Sequence, residues 1–310
     1  MANRRPSLSQ LFLNSSPDPA EQAHQKRLRT LAKASDGKAF VLEDAPLRMM
    51  YLTPKCMQSV MHMEQPDALL CAYSQWMMGF RLFQEQPREF FLIGLGGGSL
   101  VKHILTRLPE SHITALEINP DVIALRDAFA LPADDARLQV IQADGASYLP
   151  LMTQQVDVIF LDAYDKQGLV PALNTAEFYR SCRQHLRPQG MLVANVWGKP
   201  SSIAHMLNSL RSQFTEVCWA RSPDSYNLIV YASQQTLEQT VLQQRASRLQ
   251  QIQPELPWLR IAASLDSLPG PATEQDLETL TEKMRQLLVI DQNVPTTYAA
   301  WRAQVLNSAD

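Results

Sequence analysis

Two aspartates three residues apart, in Asp162-Ala-Tyr-Asp165, follow the apolar run Val156-Asp-Val-Ile-Phe-Leu161. A strand ending there delivers both acids to the crevice where open α/β sheets bind ligands. Close carboxylates repel, so their site welcomes a cation or a shared proton. A sulfonium is such a cation, and so is a polyamine. An amine nucleophile is protonated at neutral pH and must lose a proton before it attacks. A positioned aspartate holds the ammonium and then accepts that proton. Aspartate is also a common turn residue, the plainer explanation of either acid taken alone. The following loop, residues 166–173, is long enough to serve as a lid.

Four of the 11 glycines fall within five residues, Gly94, Gly96, Gly97 and Gly98 in Phe91-Leu-Ile-Gly-Leu-Gly-Gly-Gly-Ser-Leu100. The run follows an apolar strand and opens a helix. Glycine there permits a sharp turn and lets a ligand approach the main chain. The next strand ends at Glu117, 19 residues beyond Gly98, where a carboxylate can accept both hydroxyl hydrogens of a ribose. A dinucleotide and an adenosyl sulfonium both fit these two features. Ser99 stands where a dinucleotide fingerprint wants glycine or alanine, and no phosphate-gripping lysine follows. The third strand ends in Gln142-Ala-Asp-Gly145, where Asp144 can accept from an adenine amino group. Asp144 also suits a helix N-cap.

Alternating strands and helices must hold these residues. Strands are expected at 89–93, 112–116, 138–142, 156–161 and 191–196, with helices at 98–107, 120–129, 145–152 and 175–186. That order predicts a parallel sheet covered on both faces. Asn174, with Glu177 three residues on, reads as a capping-box start. A helix at 201–213 and two antiparallel strands, 216–220 and 226–231, are expected to finish the sheet edge. Upstream, runs at 39–42, 47–52 and 56–61 predict a small antiparallel meander. Pro66-Asp67 reads as the start of a long helix to Phe83, with Tyr73, Trp76, Met77 and Phe80 at helical spacing. The chain therefore divides into a flexible leader (1–36), a meander plus helix (37–86), a Rossmann-like catalytic domain (87–234) and a helical C-terminal extension (235–310).

The chain has 310 residues, 45% hydrophobic and 19% charged, with net charge −3. A large core is available, and bulk charge offers no grip on nucleic acid. No apolar run reaches the ~18 residues of a membrane span, and the N-terminus lacks the apolar stretch of about 7–15 residues of a signal peptide. The four cysteines form no CxxC pair, and the six histidines show neither HxH nor HExxH spacing. Reduced thiols in a cytoplasm and no metal site are the expectation.

The chain resembles the polyamine aminopropyltransferase (spermidine synthase) family, on a class I methyltransferase-type fold. The resemblance covers roughly residues 40–232. It is carried by Gln58-Ser59, Tyr73, Ile93-Gly-Leu-Gly-Gly-Gly98, Leu116-Glu-Ile-Asn119, Ala143-Asp-Gly145, and Asp162-Ala-Tyr-Asp165 with Gly168, Pro171, Ala172 and Phe178-Tyr179 downstream. The resemblance implies decarboxylated S-adenosylmethionine as co-substrate and a small-molecule amine such as putrescine as acceptor. It implies that Gln58, Gly94, Gly96, Gly98, Glu117, Asp144, Gly145 and Pro171 hold the nucleoside. Asp162 would be the proton acceptor, with Asp165, Tyr73 and Tyr164 at the amine. A homodimer through the meander follows by analogy. Three departures stand out. Gly97 replaces an aspartate of the family's loop, Ser74 stands where His or Gln usually follows the tyrosine, and the segment after Asp165 lacks an immediate proline and is two residues longer. Two other readings are a methyltransferase using ordinary S-adenosylmethionine and a non-catalytic nucleoside-binding relative.

Overall fold

The computed structural model describes residues 19–165, 168–270, 272–288, 294–295 and 297–307. The apolar runs form the centre of an eight-stranded sheet. In chain order its first strands are β4 (Glu89–Ile93), β5 (His112–Glu117), β6 (Leu138–Gln142) and β7 (Val156–Leu161). Then come β10 (Leu186–Val196), β11 (Glu216–Arg221), β12 (Leu228–Ser233) and the two-residue β13 (Asp266–Ser267). The spatial order is β13-β11-β12-β10-β7-β4-β5-β6. Strands β6, β5, β4, β7 and β10 run parallel, while β12 is antiparallel to both neighbours. The order reverses at β4 and β7, opening a crevice beyond their C-terminal ends.

The central strands are apolar on both sides because both sides are covered. Phe90, Leu92, Val158 and Phe160 enter one core with Phe80, Tyr231 and Trp258. Phe91, Ile93, Ile159 and Leu161 enter the other with Tyr179, Leu207 and Met284. Helices α3 (Ser99–Arg107), α4 (Pro120–Ala124), α5 (Gly145–Tyr148), α6 (Ala176–His185) and α7 (Pro200–Arg211) connect the strands. The described helices of the C-terminal region between residues 239 and 287 pack onto the sheet. Helices α8 (Gln239–Ile252) and α9 (Trp258–Ser264) supply Leu242, Leu249, Trp258 and Ile261 to the first core. Helix α10 (Asp276–Leu287) gives Leu280 and Met284 to the second.

The meander is β1 (Phe40–Asp44), β2 (Leu47–Thr53) and β3 (Cys56–His62), antiparallel as expected. The expected flexible leader is corrected over its second half. Pro19–Ala34 forms helix α1, with Glu21, His24 and Leu28 buried; residues 1–18 lie outside the described residues. α1 packs with α11 (Tyr298–Asn307) on one face of the meander, where Leu28, Tyr298, Trp301 and Val305 meet Phe40, Leu42, Leu47 and Met49. The opposite face, through Met50 and Met61, packs on Val122 and Phe129.

The long helix from Pro66 is a second correction. Regular helix is confined to α2 (Ala72–Met77), followed by a 3-10 turn over Met78–Leu82. The preceding backbone bonds elsewhere. The Leu69 carbonyl accepts from Gln75 Nε2 at 2.7 Å, and the Ala72 N–H donates to Asp224 Oδ2 at 3.1 Å. Helix α6 is capped one residue later than expected. Thr175 accepts from the Phe178 N–H, while Asn174 Oδ1 accepts from the Tyr179 hydroxyl at 2.6 Å. The expected helix over 120–129 ends at Ala124, and that over 145–152 ends at Tyr148 with a 3-10 turn at Leu149–Leu151.

Candidate active site

A cleft of about 390 Å³ opens at the C-terminal ends of β4, β5, β6, β7 and β10. That volume lies in the range of small-molecule sites, about 300–1,000 Å³. Its floor is the glycine loop. Gly94, Gly96 and Gly98 have φ of 99°, 53° and 68°, a region that favours glycine. At Gly94 the need is also steric, because a Cβ would sit 2.2 Å from the Asp162 carbonyl oxygen. The loop is thereby pressed against the turn that carries the acids. Gly94 N–H donates to Leu116 O and Asp162 N–H to Ile93 O, both at 2.9 Å. These two bonds bring Gly94, Glu117 and Asp162 together at neighbouring strand ends.

Of the residues assigned from the sequence, Gln58, Tyr73, Gly94, Gly96, Glu117, Asp144, Gly145, Asp162 and Tyr164 line the cleft. Gly98 is the N-cap of α3 and stands behind the lining, where a Cβ would meet Leu131 at 2.5 Å. Pro171 is exposed, and Val170 and Leu173 form that wall instead. Asp165 lies in β8 (Tyr164–Asp165), which pairs with β9 (Gly168–Leu169). The loop 166–173, long enough for a lid or for an ordered connection, falls partly on residues 166–167, outside the described residues.

Glu117 accepts from Leu95 N at 3.1 Å, Gly96 N at 3.5 Å and Asn119 N at 2.9 Å. Its carboxylate therefore holds the glycine loop to the end of β5. Asp144 caps α5, and the two hydrogen bonds donated by Ser147 N and Oγ both fall on Oδ2. Oδ1 takes no hydrogen bond among the described residues, so the cap and an adenine contact are compatible. Gly145 allows α5 to lie on β4, since a Cβ there would come within 2.4 Å of Ile93 Cγ2.

Burial pushes the Asp162 carboxyl up to about 6; a hydrogen bond from Asn195 opposes the shift and the charge of Glu117 adds to it. At pH 7 such a group is ionised roughly ten to one, yet is a stronger base than an ordinary aspartate. Burial, with the charge of Asp162, also raises Tyr73 and Tyr164 well above the usual phenol range. Both remain phenols and hydrogen-bond donors. The Tyr164 hydroxyl is buried without a hydrogen-bond partner among the described residues, as expected of a group that awaits a ligand. Its ring centroid lies 5.8 Å from that of Trp197.

Glu117, Asp144 and Asp162 line the cleft, and no lysine, arginine or histidine does among the described residues. The electrostatics favour a cation and oppose a pyrophosphate. No group of three metal-ligating side chains occurs among the described residues. The structure adds Ser59, Asn195, Trp197, Tyr226 and Asn227 to the lining. Asn195 carried a signal in the sequence, being the polar residue in Met191-Leu-Val-Ala-Asn-Val196 at a strand's C-terminal end.

Gly97 has a physical reason. A Cβ at this position would lie 2.5 Å from Ser59 Oγ and 2.7 Å from Phe129 Cδ1. Ser59 of the meander and Phe129, which packs against it, occupy the space that an acid would need. Gly97→Asp is expected to destabilise the protein by about 1–3 kcal/mol, the usual cost of overpacking. Urea unfolding checks this, and an unchanged midpoint would mean that the loop yields to admit the acid.

Fold and site together define a class I methyltransferase-type fold with an acid-lined cleft whose electrostatics favour a cation. The fold does not single out one chemistry. It is shared with a probable spermidine synthase of Corynebacterium glutamicum, at TM-score 0.60 and 17% identity over 76% of this chain and 94% of that one. It is shared too with human methyltransferase-like protein 13, at TM-score 0.50 and 22% identity over 66% and 96%. The sequence is more selective. The spermine/spermidine synthase domain model matches residues 70–245. A polyamine aminopropyltransferase of Neisseria meningitidis is 35% identical over 230 residues, 72% of this chain and 87% of that protein. The chain belongs to the spermine/spermidine synthase family.

Proposed function

We propose that this protein is an aminopropyltransferase that moves an aminopropyl group from decarboxylated S-adenosylmethionine to a small-molecule amine such as putrescine. The observation that carries the reading is a cleft lined by three carboxylates without a cationic side chain among the described residues, with the half-buried Asp162, its carboxyl raised to about 6, beside the glycine loop. The family relatives support aminopropyl rather than methyl transfer.

The donor fits the residues present. Gln58, the glycine loop, Glu117, Asp144 and Gly145 form a wall for the nucleoside, with Glu117 at the ribose and Asp144 at the adenine. The chemistry the donor supplies is an electrophilic carbon next to sulfur: the amine nitrogen bonds to that carbon, and the carbon–sulfur pair stays on sulfur as methylthioadenosine leaves. Asp162 holds the attacking ammonium and takes its proton. The phenol oxygens of Tyr73 and Tyr164 accept from the ammonium and help fix the amine's approach, so alignment carries much of the rate. Asp165 is assigned the amine's distal end.

The partner on this reading is the amine. A homodimer would have to form away from both faces of the meander, which are filled from within the chain. Among the described residues no helix is long and apolar enough to cross a membrane, and the four cysteines are thiols outside any disulfide. A cytoplasmic location fits those thiols.

Incubation of the protein with the decarboxylated donor and a panel of diamines and polyamines is the test. Mass spectrometry is expected to find methylthioadenosine together with an acceptor heavier by one aminopropyl group. S-adenosylhomocysteine formed from ordinary S-adenosylmethionine, with no aminopropylated product, would replace this reading by methyl transfer.

A further inference from the structure

Asp162 does not stand alone in the cleft wall. Asn195 Nδ2 donates to Asp162 Oδ1 at 2.9 Å, and Asn227 Nδ2 donates to Asn195 Oδ1 at 2.8 Å. The three residues come from the ends of three neighbouring strands, β7, β10 and β12. Asn195 is 3% exposed in a strand that is otherwise apolar at this end. A buried amide costs stability unless both its ends are bonded. Here both are, one by a donor and the other by an acceptor.

A carboxamide presents a donor on one side and an acceptor on the other. If the Asn195 amide were reversed, its oxygen would face Asp162, repel the carboxylate and favour the protonated acid. Asn227 fixes the orientation by donating to the Asn195 oxygen. Asn227 is itself held by backbone, since its carbonyl accepts from Ser222 N–H at 2.8 Å. The same loop bonds Ser222 Oγ to Asp224 Oδ1 at 2.7 Å. The loop therefore keeps its shape without the Asn227 side chain.

We propose that Asn195 and Asn227 are positioning residues for the transfer. Asn227 sets the Asn195 amide, and that amide donates to one oxygen of Asp162, holding the carboxylate ionised with its second oxygen left for the acceptor nitrogen. The proposal rests on the reading of Asp162 as the proton acceptor. The other titratable groups coupled to Asp162 are Glu117 from β5, Tyr73 and Cys71 at α2, and Tyr164 from β8. Burial raises both phenols and the Cys71 thiol, so they stay protonated through the neutral range. Asp224, in the β11–β12 loop, raises Tyr73 and Cys71 further.

The test is the pH profile of kcat/KM for the wild type, Asn195→Leu and Asn227→Leu, with a donor and amine that give turnover. Neither substitution adds charge. Asn195→Leu is expected to move the acidic limb up by about one pH unit, lowering activity roughly five-fold at pH 6 and much less at pH 8.5. Asn227→Leu is expected to move it the same way by a smaller amount. Methylthioadenosine affinity stays within about two-fold in both, because that ligand carries no amine to deprotonate. Equal loss at every pH, or an acidic limb that stays in place in both variants, overturns the proposal. Should Asn195→Leu not fold, Asn227→Leu on the half-buried side of the chain decides alone. Wild-type turnover retained in Asp162→Asn would instead overturn the reading of the base itself, and the two failures are thereby told apart.

Discussion

Replacing Asp162 by asparagine is expected to lower turnover by about 10²–10⁴-fold, the range for loss of a positioned general base. The substitution nearly preserves shape, and the amide oxygen can still accept from Asn195, which now bonds Asp162 Oδ1 at 2.9 Å. What disappears is the charge and the proton acceptor. Methylthioadenosine carries neither sulfonium nor amine, so its affinity is expected to change little. In the wild type, kcat/KM is expected to fall as pH drops through about 6, where Asp162 takes up its proton. Stability moves in the opposite sense. The folded carboxyl titrates near 6 against an ordinary value of 3.8, so folding disfavours its ionised form. Any penalty is absent below about pH 4, grows between 4 and 6, and is complete above 6. Asp162→Asn is therefore expected to stabilise the ligand-free protein at pH 8 by about 1–3 kcal/mol, with no gain at pH 3.5. Steady-state kinetics and urea unfolding at both pH values measure the two effects. Wild-type kcat at neutral pH in the variant would remove Asp162 from the chemistry.

The strand ends were the most legible part of the fold. β4 and β7 are buried on both faces, so each reads as a mainly apolar run and leaves little doubt about where it stops, whereas β6, at the sheet edge, keeps exposed glutamines. Because ligands bind beyond such ends, Gly94, Glu117, Asp144 and Asp162 could be assigned from the strands that deliver them. The helix over Pro66 was misread because its competing bonds come from afar: Asp224, which holds Ala72, lies 152 residues away, and periodicity carries no trace of it. Helix α1 was hidden for a related reason. Its buried Glu21 and His24 find their partners at the other end of the chain, where Glu21 accepts from Tyr298 N–H and the His24 ring stacks on Tyr298 at 3.6 Å. A polar segment with such partners reads as a leader until α11 is in place. The site shows the same limit. Its acids were visible one by one, but the Asn227–Asn195–Asp162 chain joins three strands and is a product of their order in the sheet.

Glu117→Gln is expected to weaken the nucleoside end of the cleft by about 10- to 150-fold in dissociation constant, or roughly 1.5–3 kcal/mol. Two effects act in the same direction. The ribose hydroxyls lose charge-assisted acceptors. The glycine loop also loses one side of its anchor, because Glu117 Oε2 accepts from Leu95 N at 3.1 Å and Gly96 N at 3.5 Å. An amide nitrogen turned toward those donors would repel them, while an amide oxygen there would leave the nitrogen facing Asn119 N–H, now bonded to Oε1 at 2.9 Å. Neither orientation replaces the carboxylate. The fold is expected to survive, since Glu117 ends a strand whose backbone register does not depend on its side chain. A second consequence appears at the base. The charge of Glu117 raises Asp162, so its removal is expected to lower the pH at which activity falls away, opposite to the effect of Asn195→Leu. Titration calorimetry with methylthioadenosine measures the first effect and the acidic limb of kcat/KM the second. An unchanged dissociation constant would take Glu117 out of the nucleoside site. A limb that did not move would mean that solvent screens the two carboxylates from each other, and the acidity of Asp162 would then rest on burial and Asn195 alone.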